Sequence, residues 1–325
     1  MGKPAICFTA RATVLPELLI ERGIGETRVV EVEDRTIVAA RILRDEVVPA
    51  GTILAARLIT VGRFAVAQTG DQEYMLPKGA PGVTEGATLT IEVTREALAG
   101  VEPWKRPLGR VTDAAPARAP DLIGSTIAFP SPEDPLEAAG WSDLLDEARS
   151  GIVSFPGGEL RIALTPAMTL IDVDGHLPPE QLAVAGAIAA ARTIRRHGVC
   201  GSIGIDLPTL SGKAARQTVA EAVDANLPAP FERTAMNGFG FLQIVRPRRC
   251  ASLFELAADR PAFEARALLR RAAREAGAIE LVAHPSVLAA LKPAWLDQLA
   301  AQVGGATRLR ADPACRMAAA HAHRI

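Results

Sequence analysis

No apolar run in this 325-residue chain is long enough to cross a bilayer, so a membrane-spanning helix is excluded. Cysteine is scarce and scattered: Cys7, Cys200, Cys250 and Cys315 form no CxxC pair. That spacing argues against both a disulfide framework and a cysteine zinc site, and a reducing cytoplasm is the expected setting. Residues 1–20 hold Arg11 and no long apolar core, so no secretory leader is expected. There is no excess of one charge, the net value being −1. Any contact with nucleic acid must therefore rest on local charge. Aromatic residues make up only 4% of the chain, with a single tyrosine, which limits base-stacking surfaces. Lysine is rare while arginine is abundant. That bias fits phosphate recognition, and equally the base composition of an alanine-rich coding sequence.

What is present is apolar content enough, at 49%, for two or three packed domains. Two strand-like segments stand out. Residues 168–175 end in Ile171-Asp172-Val173-Asp174-Gly175, and residues 201–207 carry Ile203-Gly204-Ile205-Asp206. Between them, 180–196 has helical periodicity closed by Gly198. Strand, helix, strand predicts neighbouring parallel strands, and ligand sites in open α/β sheets lie beyond their carboxyl ends. Asp172 and Asp174 are two apart, which on a strand is one face. Three carboxylates at one edge repel unless a cation intervenes, and Mg²⁺ suits such hard oxygen ligands. The same acids can also be turn and capping groups; Asp174-Gly175 is an ordinary turn signal.

Three ordered runs carry a family resemblance. Phe155-Pro156-Gly157-Gly158-Glu159-Leu160, with residues 165–174 behind it, resembles the "LPSGG…TEALTAIDVN" of the ribonuclease E/G family. Residues 201–210 resemble its "GGIIVIDFIDM", and residues 239–248 its "FGLLEMTRQR". At the N-terminus, Glu17-Leu18-Leu19-Ile20 and Gly25-Glu26-Thr27-Arg28 are similar to its "ELLI…GETR". The resemblance implies that Asp172 and Asp206 hold Mg²⁺, and that Asp174, where the family usually has Asn, is a third acid of the site. Departures are specific. Thr209 stands where the family has a second acid, Gln243 where it has Glu, and Gly238 where it has Arg. The loop after Asp174 is shorter, and Arg249-Cys250-Ala251-Ser252 lacks the CPxC zinc link.

The expected fold class is α/β with a small β-barrel. Strands at 1–45, with a hairpin around Glu33-Asp34-Arg35, associate with the catalytic part. Residues 46–101 give short strands at 52–60, 63–68, 74–76 and 88–93, a barrel pattern that the resemblance makes S1/OB-like. Phe64 and Tyr74 are its only candidate stacking residues, with Asp71 and Glu73 beside them. Residues 102–141, with seven prolines, read as a linker too short for the family's 5′-phosphate sensor. An α/β catalytic domain at 142–257 begins with a brief helix, 142–149. Ser211 is expected to cap a helix to about 225 that carries Lys213 and Arg216. Strands follow at 231–236 and 239–246, and a small C-terminal α/β domain occupies 258–325. The end of the chain places His321 and His323 two apart, with no third metal ligand evident nearby.

Arg246, Arg248, Arg249 and Lys213 are the expected phosphate contacts. Taken with these features, the resemblance implies a Mg²⁺-dependent endoribonuclease of single-stranded RNA leaving 5′-phosphate and 3′-hydroxyl ends. Catalysis would rest on Asp172, Asp174 and Asp206. The departures keep an alternative open: a catalytically impaired RNA-binding or scaffolding protein. A metal hydrolase of a small phosphorylated substrate is a third possibility. A monomer is expected, with no zinc-linked dimer and no membrane partner.

Overall fold

The computed structural model describes residues 16–98 and 105–325. Cys7, Arg11, Pro103 and the expected end of the barrel at 99–101 fall outside them. An N-terminal sheet starts with β1 (Glu17–Arg22), β2 (Glu26–Glu33) and β3 (Thr36–Arg44), all antiparallel. The β2–β3 hairpin turns at Asp34 and Arg35, whose φ angles are 47° and 62°. Two positive φ values give the twist that antiparallel strands need in a tight turn.

Five strands close the barrel: β4 (Ile53–Thr60), β5 (Ala65–Thr69), β6 (Gln72–Leu76), β7 (Thr88–Arg95) and β8 (Leu108–Val111). Their order is β4-β5-β6-β8-β7, with β6 and β8 parallel and every other neighbouring pair antiparallel. Alternate residues Leu58, Ala65, Ala67, Tyr74, Leu76, Ile91 and Val93 fill the interior. The expected linker needs correction here. Within 105–141, β8 completes the barrel and β9 (Ser125–Ile127) adds to β1 in parallel, giving the order β3-β2-β1-β9. Both strands are short and owe their order to remote partners, so the local pattern hides them.

The central part follows α1 (Pro135–Ala138) and α2 (Trp141–Ser150). Its elements are β10 (Ile152–Phe155), β11 (Gly158–Leu164), β12 (Thr169–Gly175), α3 (Pro179–Arg196), β13 (Gly201–Asp206), α4 (Lys213–Asn226), β14 (Glu232–Arg233) and β15 (Phe241–Arg246). The sheet order is β10-β11-β12-β13-β15-β14, and only β12 and β13 run parallel. They and α3 are the βαβ unit that the sequence predicts. Ile171, Val173, Ile203, Ile205, Leu242 and Ile244 face the core with Ala183, Ala187, Ala190 and Ile194 of α3. Two expected strands are shorter than read: 231–236 keeps only β14, and β15 begins at Phe241 because residues 237–240 form a loop. Gly212, not Ser211, caps α4. The Ser211 carbonyl instead accepts from Arg216 Nη1 at 3.0 Å.

Two helices lead into the C-terminal part, α5 (Leu253–Ala258) and α6 (Arg260–Ala272). Then come β16 (Ile279–Ala283), α7 (Pro285–Ala289), α8 (Pro293–Val303), β17 (Thr307–Ala311) and β18 (His321–Arg324), the sheet running β17-β16-β18. Helix α6 serves two cores: Phe263 and Ala267 join the central one, Leu268, Leu269 and Ala272 the C-terminal one. Two of its arginines point inward. Arg270, 4% exposed, binds Glu21 of β1 and Asp134, and Arg266 is equally hidden. Among the described residues no helix is long and apolar enough to cross a membrane.

Candidate functional site

The parallel pairing of β12 and β13 sets Asp172 directly opposite Asp206. Ile171, Val173 and Ile205 are buried, so strand alternation turns both acids to the other face, where they are exposed. Neighbouring strands lie about 4.8 Å apart, which sets the two carboxylates side by side where the pairing of β12 with β13 ends. Asp174 is exposed on the same side but lies beyond the last residue of β13. Its Oδ1 accepts from the Gly175 amide at 2.9 Å, so it acts locally as a turn group. Among the described residues, no group of three or more His, Cys, Asp or Glu is arranged to hold a metal ion. The acids of this edge are a pair with Asp174 beside it.

Strand β11 adds a cation. Arg161 is opposite Asp172 and Glu159 is opposite Asp174. Arg161 Nε donates to Glu159 Oε1 at 2.9 Å. The bond to Glu159 holds the Arg161 guanidinium above its ordinary pKa, and the charges of Glu159, Asp174 and Asp172 add to this. Sequence reasoning missed Arg161 because nothing local says that β11 will be the antiparallel neighbour of β12. The period-two pattern of residues 158–164 was the available signal.

On the other flank, Phe241 of β15 is opposite Asp206. Its ring crosses Gly204, where a Cβ would come within 2.4 Å of Phe241 Cζ. Only glycine leaves space there for the ring. Gln243, in the position where an acid was a candidate, donates from Nε2 to Ser202 Oγ at 3.1 Å. Thr209 donates to the Phe239 carbonyl at 3.3 Å. Both side chains thus hold neighbouring segments together. Gly238 has open space where a side chain would project.

The four expected phosphate contacts separate. Lys213 opens α4, which follows β13 and so begins at the acid edge, and it is exposed. Arg246 is opposite Gly201, at the other end of the sheet. Five residues of strand put it about 17 Å from the Phe241 end. Arg246 Nη1 donates to the Val199 carbonyl at 3.1 Å, and Arg248 pairs with Glu255. Arg249 is exposed, but its carbonyl accepts from Glu96 at the end of the barrel, at 2.8 Å. Arg246 and Arg248 are thus engaged with Val199 and Glu255, and only Arg249 meets the end of the barrel; none of the three lies beside the acid pair.

Two carboxylates on a solvent-facing edge fit the needs of Mg²⁺, which takes one or two carboxylates and fills the rest of its shell with water and phosphate oxygen. Arg161 fits a phosphate held beside such an ion. His321 and His323 stack at 6.0 Å between ring centroids on exposed β18, far from these acids in sequence and in a different sheet. No model of a known protein family matches the chain. A search of curated proteins likewise finds no match.

Proposed function

We propose that this chain is a Mg²⁺-dependent endoribonuclease of single-stranded RNA, working in the cytoplasm. The observation that carries the reading is the Asp172–Asp206 pair, side by side at the last paired position of two parallel strands and on an open face. Asp172 and Asp206 would hold the ion. Bound there, Mg²⁺ supplies Lewis acidity toward a phosphodiester oxygen and lowers the pKa of an attacking water. Arg161 would steady the phosphate, and Lys213 would draw the backbone toward the edge. Attack of water on phosphorus with loss of the 3′ oxygen leaves 5′-phosphate and 3′-hydroxyl ends.

The domain reading attached to this is an S1/OB-like barrel, a central α/β catalytic domain and a small C-terminal α/β domain. The strand order β4-β5-β6-β8-β7 supports an OB-type barrel. Tyr74 is 1% exposed and serves the barrel core, which removes it as a stacking surface. Phe64 remains, 61% exposed, with the Arg63 guanidinium 5.5 Å from its ring centre. A base could stack there beside a positive charge.

A second reading is a catalytically impaired RNA-binding protein. The structural use of Gln243 and Thr209 favours it, because neither is free to act on substrate. One experiment separates the two. Labelled single-stranded RNA is incubated with the protein in Mg²⁺ and in EDTA, alongside Asp172→Asn and Asp206→Asn. Nuclease action predicts cleavage only with Mg²⁺ and its loss in both variants, with RNA binding retained. Binding without cleavage in the wild type selects the second reading. Unaltered cleavage by both variants removes the acid pair from the mechanism.

A further inference from the structure

Beside the acid pair the chain leaves a large aromatic ring in solvent. Phe239 is 86% exposed, although phenylalanine is a residue that folding normally hides. Its backbone is fixed. Asn237 Oδ1 accepts from the Phe239 amide at 2.9 Å and from the Phe241 amide at 3.0 Å. The Phe239 carbonyl accepts from Thr209 at 3.3 Å. Gly240 has φ +96° and donates its amide to the Asn237 carbonyl at 3.3 Å. A Cβ on Gly240 would come within 2.1 Å of the Leu207 oxygen, so the loop is pressed against the segment after Asp206. The Leu207 amide completes the seal by donating to the Gly240 carbonyl at 3.1 Å. Asp206 and Phe239 are each one residue from that bond. The ring is therefore held at the acid edge on a braced loop, with its apolar surface open.

We propose that Phe239 is the stacking platform of a base-binding subsite, taking an unpaired nucleobase of the strand whose phosphate meets Asp172 and Asp206. This deepens the nuclease reading and rests on it for the phosphate. The base contact itself needs neither metal nor chemistry. A flat ring accepts any unpaired base, while bases inside a duplex are stacked on one another and unavailable. The braced loop matters because it holds the ring in register with Asp206. The subsite thus predicts a preference for single strands that arises at the acid edge itself, independent of the barrel.

The test uses the full chain carrying Phe239→Trp, titrated with a single-stranded oligonucleotide in EDTA, which withholds the metal that cleavage needs. Quenching of the added tryptophan is expected, against a background from Trp104, Trp141 and Trp295 that is measured on the unsubstituted chain. A matched hairpin duplex should leave it unquenched, as should either probe with Leu309→Trp, an exposed position on the C-terminal sheet. Phe239→Ala should weaken oligonucleotide binding by about tenfold, within the range set by one stacked base. Phe239→Tyr should restore it. In cleavage assays the alanine variant should raise KM more than it lowers kcat. No quenching, together with wild-type binding by Phe239→Ala, overturns the subsite, and cleavage at wild-type rates would then leave the nuclease reading standing. Quenching in a protein that never cleaves RNA upholds the subsite and removes the nuclease reading instead.

Discussion

Glu21→Ala should destabilise the protein more than any exposed-charge substitution, by about 3 kcal/mol. Glu21 is fully buried on β1, between Arg28, 1% exposed, and Arg270, 4% exposed. It accepts from Arg28 Nη1 at 2.7 Å and from Arg270 Nε and Nη2 at 2.9 and 3.2 Å. Removing one partner of a buried ion pair costs about 3–5 kcal/mol, because the remaining charge loses both water and counter-ion. Here the residual cost falls at the lower end. Arg28 keeps Glu26 at 2.8 Å, and Arg270 keeps Asp134 at 2.6 Å. Glu21→Gln preserves volume and one acceptor, so it should cost about 2 kcal/mol and separates charge from cavity. The control is Glu73→Ala, whose Arg106 partnership is exposed on both sides and should be worth less than about 1 kcal/mol. Denaturant melts followed by far-ultraviolet circular dichroism give the values, read as a midpoint shift at constant slope. Equal midpoints for Glu21→Ala and Glu73→Ala would refute the claim that this network joins β1 to α6.

Two further outcomes follow from named side chains. Asp174→Asn keeps the Oδ1 acceptor used by the Gly175 amide, so turn geometry and RNA cleavage should persist while the Mg²⁺ concentration for half-activity rises modestly; abolished cleavage would make Asp174 a metal ligand. Glu147 is pushed up by burial, but its hydrogen bond with His197 and the charge of Arg196 outweigh that and leave its pKa lowered. A carboxyl whose folded pKa is depressed adds stability above its unfolded value, about pH 4.3, and that increment is lost as pH falls through the folded value. Glu147→Gln should therefore flatten the acid limb of a stability–pH curve, and an unchanged limb would show that the carboxyl contributes nothing there.

Period and punctuation in the sequence were enough to determine the local elements. Alternation in 168–175 and 201–207 and the helical repeat in 180–196 define β12, β13 and α3, and hence the edge that carries the acids. The hairpin at Asp34-Arg35 was legible for the same reason: its signal lies within a few residues. Everything that depends on which strand meets which was decided by tertiary structure. Arg161 reaches the acids only because β11 pairs with β12, and Arg246 leaves them because β15 runs antiparallel to β13. Residues 108–111 become a strand only when β6 and β7 offer their edges. Arg270 of α6 gave no sign in sequence that it faces inward, since its counter-ions Glu21 and Asp134 lie more than a hundred residues away. Local pattern fixes the face a side chain takes on its own element. Long-range register fixes its neighbours across elements, and that requires the assembled sheet and core.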